Sequence, residues 1–314
     1  MSTYIARRIA GLFPVMLVVA IATFVLIHLA PGDPAGVILG PDASAEDVLK
    51  LQRQLGLDLP IPLQLTRWLG RLVGGDLGDS IFLRRPVTTA IMERLEPTLV
   101  LTTLGTLIAI AIGIPIGILS ASRHNTALDQ ASSLVALLGL SIPNFLLGLL
   151  LVLVFAVWLG WLPVAGYVSL ERGLGRALPY LILPSFSLGF VQSALIARIT
   201  RSSMLDVLRE QYITVGRAKG LPERLVIYKH ALRNAIIPTL TVVGITFAIL
   251  IGGSVVIETV FNIPGLGRLI ISSVLRRDYP MVQGIALFIA LTYMLINLLV
   301  DILYAYVDPR VRYE

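Results

Sequence analysis

The sequence predicts an all-α polytopic membrane protein with six transmembrane helices. Of its 314 residues, 56% are hydrophobic and only 14% are charged, a balance that excludes an ordinary soluble domain. The apolar residues gather into runs of about 20, the length at which a helix spans a hydrocarbon core of about 30 Å. The runs lack the strict alternation of β-barrel strands, so helices are the elements that can satisfy their backbone in lipid. The six predicted spans cover residues 9–29, 98–119, 134–159, 179–197, 236–257 and 282–306.

The first span has a basic flank of the kind that also precedes a signal peptide. Arg7 and Arg8 stand before it, but the apolar run exceeds the roughly 7–15 residues of a signal h-region. Pro31-Gly32-Asp33-Pro34 follows the run, where a cleaved signal would carry small residues. We therefore predict an uncleaved first span.

The basic residues near the span ends orient the helices. Arg7 and Arg8 lie on one side of the first span, whereas its other side has no Lys or Arg until Lys50. The loop of residues 198–235 concentrates further Lys and Arg between two spans. Because such charges favour the cytoplasmic side, we predict that the N- and C-termini are both cytoplasmic.

Residues 30–97, between the first two spans, are predicted to form a helical extracytoplasmic insertion. Ser44 and Asp47 resemble a capping box at the start of a short amphipathic helix, and Gly56 is suited to end that helix. Two further helices are predicted at residues 62–72 and 87–95. The insertion either docks an external partner or covers the helix bundle, and the sequence does not separate these roles.

Two later connectors also carry predictions. Trp161 and Tyr167 fit an interfacial hairpin with aromatic anchors in residues 160–178. Residues 258–280 contain a turn at 262–267, followed by a short amphipathic helix. That helix either dips toward the translocation path or lies at the membrane interface.

Proline and glycine interrupt two of the predicted spans. The clearest interruptions are Gly-Ile-Pro-Ile-Gly at residues 113–117 and Gly-Leu-Ser-Ile-Pro-Asn at residues 139–144. Proline removes a helical hydrogen bond and permits a kink, while glycine lets helices approach closely. The pattern predicts kinked and closely packed helices.

The sequence has none of the short motifs that would indicate an enzyme. It lacks a phosphate-binding P-loop, an H-E-x-x-H zinc motif and a G-x-S-x-G nucleophile elbow. His28, His124 and His230 are isolated, and the absence of Cys excludes disulfides and thiolate metal sites within the chain. We predict no catalytic residue, no metal site and no cofactor bound by the chain. The net charge of +6 is interpreted as loop anchoring at the membrane rather than nucleic-acid binding.

Polar side chains within the spans are few. Glu258 and Asp301 lie near span ends, where a carboxylate is expected to reach water. Asn144 and Asn297 are the strongest polar candidates inside spans, and each either bonds to a neighbouring helix or contacts substrate on its path. The predicted spans can therefore form a transport pathway, but the sequence shows no motif or intramembrane charge that would supply the energy for transport. Energy is predicted to come from another subunit, or from a gradient that uses no intramembrane charge.

The polar, basic segment 210–238 is the candidate contact with such a subunit. It contains the runs Arg217-Ala218-Lys219-Gly220-Leu221 and His230-Ala231-Leu232-Arg233-Asn234-Ala235. These runs resemble the EAA-type coupling loop of permease subunits in binding-protein-dependent ABC importers, in its peptide-permease form. Against the general family pattern, Gly220 and Leu232 match, and Thr214-Val215-Gly216 stands at the Glu-Ala-Ala positions.

The segment also carries signals for a helix end and a helix start. Gly220 is suited to end a helix, because glycine readily adopts the left-handed conformation. Pro222 with Glu223 is suited to begin the next helix, since proline is tolerated in a first turn. The segment is therefore predicted to form a short surface knob.

Further matches extend along nearly the whole chain. They resemble the first permease subunit of dipeptide, oligopeptide, glutathione or nickel importers. The matching runs are Pro31-Gly32-Asp33-Pro34, Leu55-Gly56-Leu57-Asp58, Gly75-Asp76-Leu77-Gly78, Arg85-Pro86-Val87, Pro264-Gly265-Leu266-Gly267-Arg268 and Asp308-Pro309-Arg310-Val311-Arg312.

The resemblance implies one permease domain over residues 1–314, built as a type I importer bundle in a bacterial or archaeal cytoplasmic (inner) membrane. It implies three kinds of protein partner besides membrane lipid: a second homologous permease, two ATPase subunits that bind ATP and Mg, and an extracytoplasmic substrate-binding protein. The residues implied to contact the ATPase are Tyr212, Arg217, Ala218, Lys219, Gly220 and Leu221.

Short peptides are the implied cargo, and glutathione, a nickel chelate or an oligosaccharide could take their place. Three hypotheses from different functional classes stand beside the importer: a gradient-driven secondary transporter, an intramembrane enzyme and a purely structural membrane subunit. The absent catalytic motifs disfavour the enzyme. The secondary transporter would work without ATP.

Overall fold

Helices form the regular elements of the part of the chain that the structure describes. The computed structural model describes residues 2–29, 34–40 and 43–307. The α-helices are α1 (Ser2–Leu29), α2 (Pro34–Leu39), α3 (Ala45–Leu55), α4 (Ile61–Val73), α5 (Val87–Ser122), α6 (Ala127–Ser141), α7 (Asn144–Leu151), α8 (Leu174–Leu208), α9 (Gln211–Ala218), α10 (Glu223–Leu225), α11 (Leu232–Val260), α12 (Leu266–Leu275) and α13 (Tyr279–Val307). The shorter helical turns are π-helical at Val152–Trp158 and Val226–Ala231 and 3-10 at Leu170–Arg172.

The long apolar helices coincide with the predicted spans, which confirms the all-α membrane fold. Among the described residues, α1, α5, α8, α11 and α13 are long and apolar enough to cross a membrane, with α11 extended at its start by α10 and a π-helical turn. A bent pair, α6 with α7 and the π-helical turn after it, passes the same criterion when both halves are taken together. The described residues therefore contain five continuous helices that could span a membrane, or six spans if the bent pair is counted as one. The six-span topology stays a prediction.

The third predicted span, residues 134–159, is sharply bent. Its halves, α6 and α7, make an angle of 97° at a short break. Ile142 in this break is extended, with φ −89° and ψ 121°, the conformation that a following proline favours. Pro143 itself has no N–H to continue the helical ladder. The predicted proline interruption is therefore confirmed, and it breaks the helix instead of kinking it.

The helix predicted at residues 87–95 begins at Val87 as predicted, but the prediction that it ends at Leu95 as a separate helix is wrong. Those residues are the first turns of α5, a continuous helix of 36 residues. At about 1.5 Å per residue, α5 is about 54 Å long and exceeds a hydrocarbon core of about 30 Å. Pro97 lies inside α5 and removes one hydrogen bond without ending the helix.

The first helix predicted in the insertion is confirmed together with its caps. The Ser44 hydroxyl accepts a hydrogen bond from the Asp47 N–H at 3.1 Å and donates one to the Asp47 carboxylate at 2.7 Å. Gly56 ends α3 in the left-handed conformation, with φ 70°. The second predicted helix corresponds to α4. Residues 31–33 and 308–312, which carry two of the family-like runs, lie outside the described residues.

The chain divides into two compact units, each with its own buried residues. One unit contains residues 97–267 and the chain from 295 onward, and the other contains residues 2–96 and 268–294. In the first unit, side chains from α5, α8, α11 and the turn after α11 form an apolar core. Its members are Leu101, Leu183, Leu188, Leu250, Ile257, Phe261 and Ile263. In the second unit, the buried side chains of α5 and α13 include Val87, Ile91, Met281 and Ile285.

Glycines bring α5 and α8 close together in the first unit. A Cβ atom on Gly113 would lie 2.7 Å from the Ser193 carbonyl oxygen, and one on Gly117 would lie 2.7 Å from the Ala197 carbonyl oxygen. Real Cβ atoms do not approach backbone oxygens so closely, so neither position has room for a side chain. The packing role predicted for residues 113–117 is confirmed as a small-xxx-small contact.

We expect Gly113→Ala to destabilise the chain, because the added methyl group must push α5 away from α8. Overpacking of this kind costs about 1–3 kcal/mol. The midpoint of thermal unfolding of the purified chain in detergent measures the effect. Gly252→Ala is the matched control, since Gly252 lies inside α11 and an added Cβ would meet no atom within 4 Å. Unchanged midpoints for both variants would contradict the close packing.

Candidate functional site

The connection between α8 and α11 folds into a short helical knob, defined here as residues 210–223. α9 is its helical part, and two backbone hydrogen bonds end that helix. The Gly220 N–H donates to the Arg217 carbonyl at 2.9 Å, and the Leu221 N–H donates to the Gly216 carbonyl at 3.3 Å. This pair of bonds is the Schellman motif, a helix end that places one residue in the left-handed region.

Gly220 is that left-handed residue, with φ +78°. An added Cβ there would meet no atom within 4 Å, so the position requires glycine for its backbone conformation and not for space. Pro222 follows with φ −63° and ψ 140° and leads directly into α10. The helix end at Gly220 and the restart at Pro222 were both predicted from the sequence, and both are confirmed.

An ion pair closes the knob on itself. The Arg217 guanidinium donates to the two Glu223 carboxylate oxygens at 3.1 and 2.6 Å. This bidentate geometry joins the last turn of α9 to the first residue of α10. The hydrogen bond to Glu223 raises the pKa of the Arg217 guanidinium above its ordinary value. Because both side chains are exposed, the pair contributes less than about 1 kcal/mol to stability, and its main effect is on the shape of the turn.

The outer surface of the knob mixes apolar and basic side chains. Tyr212, Val215, Ala218 and Lys219 are exposed. Leu221 is half-buried and packs inward against a buried cluster. Leu221 therefore contributes less outward surface than the other residues predicted to contact an ATPase.

One buried side chain anchors the knob to the ends of three long helices. Ile213 of α9 is 1% exposed, and it belongs to a cluster that we call the anchor cluster. The anchor cluster contains Ile118, Ala121, Met204, Ile213, Val226, Ala231 and Ala235. Beside it, the Tyr212 hydroxyl accepts a hydrogen bond from the Asn234 side-chain amide of α11 at 2.7 Å. A force on the knob therefore acts on the ends of α5, α8 and α11.

A buried ion pair braces the same helix ends. The Asp129 carboxylate, near the start of α6, accepts two hydrogen bonds of 2.6 and 2.8 Å from Arg201 of α8. The Ser120 hydroxyl of α5 and the Asn125 N–H donate to the same carboxylate, and His124 Nδ1 lies 3.2 Å from it. We call these residues the Asp129 hub. It ties α5, α6 and α8 together within a few residues of the anchor cluster.

The two residues predicted to lie on the substrate path occupy different helices. Asn144 is the first residue of α7, directly after the bend, and Asn297 lies in α13. Both side chains are half-buried. Neither amide has a hydrogen bond to another residue in the described part of the chain. Their place on the path stays a prediction.

A buried carboxylate near the end of α11 was missed by sequence reasoning. Glu258 is 0% exposed, so the prediction that it reaches water is wrong. Its carboxylate accepts hydrogen bonds from the Thr98 hydroxyl at 2.7 Å and the Ser254 hydroxyl at 3.0 Å. Thr98 in turn accepts from the Leu266 N–H at 2.9 Å. Glu258 thus fixes the turn at residues 262–267 against α5 in the first unit.

Two family profiles match the chain and between them cover most of it. The profile described as "Binding-protein-dependent transport system inner membrane component" matches residues 113–313. The profile of the N-terminal part of such membrane components matches residues 1–102.

Several curated proteins are similar over the whole length. The chain is 44% identical to the probable peptide ABC transporter permease protein y4tP of Sinorhizobium fredii, with 100% of both chains covered. It is 45% identical to the glutathione transport system permease protein GsiC of Salmonella paratyphi A, again with 100% of both covered. It is 48% identical to a putative peptide transport system permease protein of Brucella abortus at the same coverage.

The fold is also similar to that of solved structures. An inward-facing structure of the MetNI methionine ABC transporter contains a chain that superposes with a TM-score of 0.57 at 21% identity, covering 70% of this chain and 96% of that one. A second crystal form gives a TM-score of 0.55 at 19% identity, covering 70% and 97%. At these identities the likeness concerns the fold alone.

Proposed function

We propose that the chain moves short peptides or glutathione across the membrane, because it belongs to the family of binding-protein-dependent transport system inner membrane components. The chain is a permease subunit of an ABC importer. Full-length similarity to permeases, together with a membrane-spanning helical fold, supports that role. What we propose is the identity of the cargo and the residues that couple the chain to an ATPase subunit.

The names of the full-length relatives support a peptide-like cargo. Two of them are described as peptide transport permeases and one as a glutathione transport permease. Glutathione is itself a tripeptide, so these names describe one chemical class. None of these three names mentions a nickel chelate or an oligosaccharide.

We propose that the knob is the contact with the motor. Its outward residues Tyr212, Arg217, Ala218, Lys219 and Gly220 would lie against an ATPase subunit, while Leu221 would support them from beneath. The observation that carries this assignment is the combination of an exposed, rigid helix end with the buried anchor at Ile213. If residues 210–223 were only a solvated connection between two helices, they would not need a buried contact with the ends of three helices.

The remaining partners follow from the type of transport system. The chain would pair with a second homologous permease, and ATP and Mg would bind to two ATPase subunits. An extracytoplasmic binding protein would deliver the cargo. The chain itself would carry out no catalysis. It would lie in a bacterial or archaeal inner membrane with both termini in the cytoplasm, which places the knob inside and the insertion of residues 30–97 outside.

The substrate path would lie between the two permeases. Asn144 is our candidate for one of its polar groups because it follows the 97° bend, where helix backbone is interrupted. Asn297 in α13 is the second candidate. Single replacement of either by leucine would change the cargo concentration needed for half-maximal uptake if the amide contacts cargo.

The complete importer, reconstituted in liposomes, tests the proposed function. We expect the tagged chain to copurify with two ATPases and a second permease in mild detergent. Uptake of a labelled tripeptide should then require ATP on the ATPase side and the binding protein on the other. Uptake without ATP that an uncoupler abolishes would contradict the proposal and indicate a secondary transporter.

A further inference from the structure

The second unit contains a loop that is held rigidly although its tip is exposed. Residues 78–87 form this loop, which we call the tip loop. Its two ends pair through hydrogen bonds from the Ser80 N–H to the Arg85 carbonyl at 2.9 Å and from the Val87 N–H to the Gly78 carbonyl at 3.0 Å. The tip between them is fixed from another part of the same unit.

Asp278 is the residue that fixes the tip. It lies between α12 and α13 and is 2% exposed. Its carboxylate accepts hydrogen bonds from the Ser80 hydroxyl, from the Ile81 N–H at 3.1 Å and from the Phe82 N–H at 3.3 Å. The Ser80 oxygen also accepts from the Leu83 N–H at 2.9 Å. The backbone of the tip therefore has little freedom, even though its side chains project outward.

Two arginines adopt unusual backbone conformations beside this carboxylate. Arg84 has φ 51° and Arg277 has φ 55°, both in the left-handed region that non-glycine residues rarely occupy. Such strain persists when the surrounding contacts overdetermine the backbone, and it is typical of sites that present side chains to a ligand or partner. The bonds of Asp278 supply that overdetermination.

The side chains that project from this framework form an aromatic and basic surface. Phe82 is 55% exposed. The Arg276 guanidinium lies 3.7 Å from the centroid of its ring, a cation–π contact that orients both groups. Arg84 is exposed on the same loop, whereas Arg85 is paired with Glu93 at 2.7 Å. We call Phe82, Arg84 and Arg276 the arginine–phenylalanine patch.

We infer that this patch docks an acidic, carboxylate-bearing surface of the extracytoplasmic binding protein, an inference that rests on the proposed function. Aromatic and arginine side chains dominate the energetics of protein interfaces, and they do so best when they are already ordered. The positive charge of the two exposed arginines is complementary to a partner surface of opposite charge. Asp79, an exposed acid of the tip loop, lies at its base opposite Pro86 and not at the tip.

The stimulation of ATP hydrolysis by cargo-loaded binding protein tests the inference. The complete importer is placed in nanodiscs, and the binding protein is titrated. We expect Phe82→Ala and the double variant Arg84→Glu/Arg276→Glu to raise the binding-protein concentration for half-maximal stimulation by about tenfold or more. Basal hydrolysis should stay unchanged, because these exposed residues are outside the knob.

Two controls separate docking from other effects. Arg53→Glu reverses an exposed arginine of α3 in the same unit and should leave the titration unchanged. Because the chain has no Cys, Phe82→Cys also provides a labelling site for a photoreactive maleimide that is unique within this chain. We expect this probe to form a crosslink to the binding protein.

The outcomes are distinguishable. If both patch variants needed the same binding-protein concentration as the wild type for half-maximal stimulation, the inference would be overturned and the proposed function would remain intact. A defect seen only in nanodiscs with anionic phospholipid, with crosslinks to lipid, would overturn it in favour of a headgroup contact. If binding protein failed to stimulate the wild-type importer, the proposed function would fail, and the inference with it.

Discussion

Deletion of residues 217–221 is expected to abolish ATP-driven uptake while the chain still inserts into the membrane. The deletion removes the exposed end of α9 and its turn, which the structure presents as a rigid projection. Ile213, which anchors α9 among the ends of three long helices, is outside the deleted segment. ATP hydrolysis by the partner subunits would then have no rigid element through which to move the permease. Uptake into proteoliposomes and membrane content of the chain are the two measurements.

A single substitution isolates the geometry of the knob. Gly220→Val keeps its length but places a β-branched residue at φ +78°. A non-glycine residue in the left-handed region costs roughly 1–2 kcal/mol, and β-branching adds to the strain. We expect uptake to fall by about tenfold, because the Schellman turn would open in most molecules.

Gly160→Val is the matched control for backbone strain. Gly160 also has a positive φ, +64°, and an added Cβ would meet no atom within 4 Å. It lies in the connector between the π-helical turn after α7 and α8, outside the knob. Loss of uptake in Gly160→Val as large as in Gly220→Val would indicate a general folding defect. Wild-type uptake in both Gly220→Val and the deletion would show that the knob does not couple the permease to its motor.

The parts of the fold that could be predicted from the sequence are those that neighbouring residues determine. Apolar runs of sufficient length predicted the spans, and the helix ends at Gly56 and Gly220 followed from the need for a left-handed residue. The break at Pro143 was also visible, because a proline acts on the residue beside it. The 97° angle between the two halves could not be predicted in the same way, since packing against other helices sets the angle.

The missed features depend on residues far apart in the chain. Asp129 and Arg201 are 72 positions apart, and Thr98 and Glu258 are 160 positions apart. Nothing beside any of these residues in sequence distinguishes it from an exposed side chain near a span end. The same holds for Asp278, whose partners in the tip loop precede it by nearly 200 positions. Long-range hydrogen bonds of this kind are set by topology, and no local pattern indicates them.

The Asp129 hub carries the largest expected loss of stability. Asp129→Ala leaves the Arg201 guanidinium at a partly buried position without the carboxylate that accepts its two hydrogen bonds. Removal of one partner of a fully buried pair typically costs about 3–5 kcal/mol, and because the Arg201 side chain is 28% exposed we expect a cost toward the lower end of that range. We expect a much lower midpoint of thermal unfolding in detergent. Glu223→Ala, which breaks the exposed pair with Arg217, should cost less than about 1 kcal/mol and serves as the control.

A double variant distinguishes the loss of an attraction from the burial of an unpaired charge. In Asp129→Ala, most of the lost stability comes from the Arg201 charge that is left without its carboxylate partner. The double variant Asp129→Ala/Arg201→Met removes that charge and should therefore be more stable than Asp129→Ala alone. If the double variant is instead less stable by the sum of both single effects, the two side chains act independently and the hub is not an ion pair. If Asp129→Ala and Glu223→Ala have equal midpoints, burial adds nothing to the Asp129 pair. Because α5, α6 and α8 meet at this carboxylate beside the anchor cluster, its loss should also lower uptake per ATP hydrolysed at temperatures where the chain stays folded.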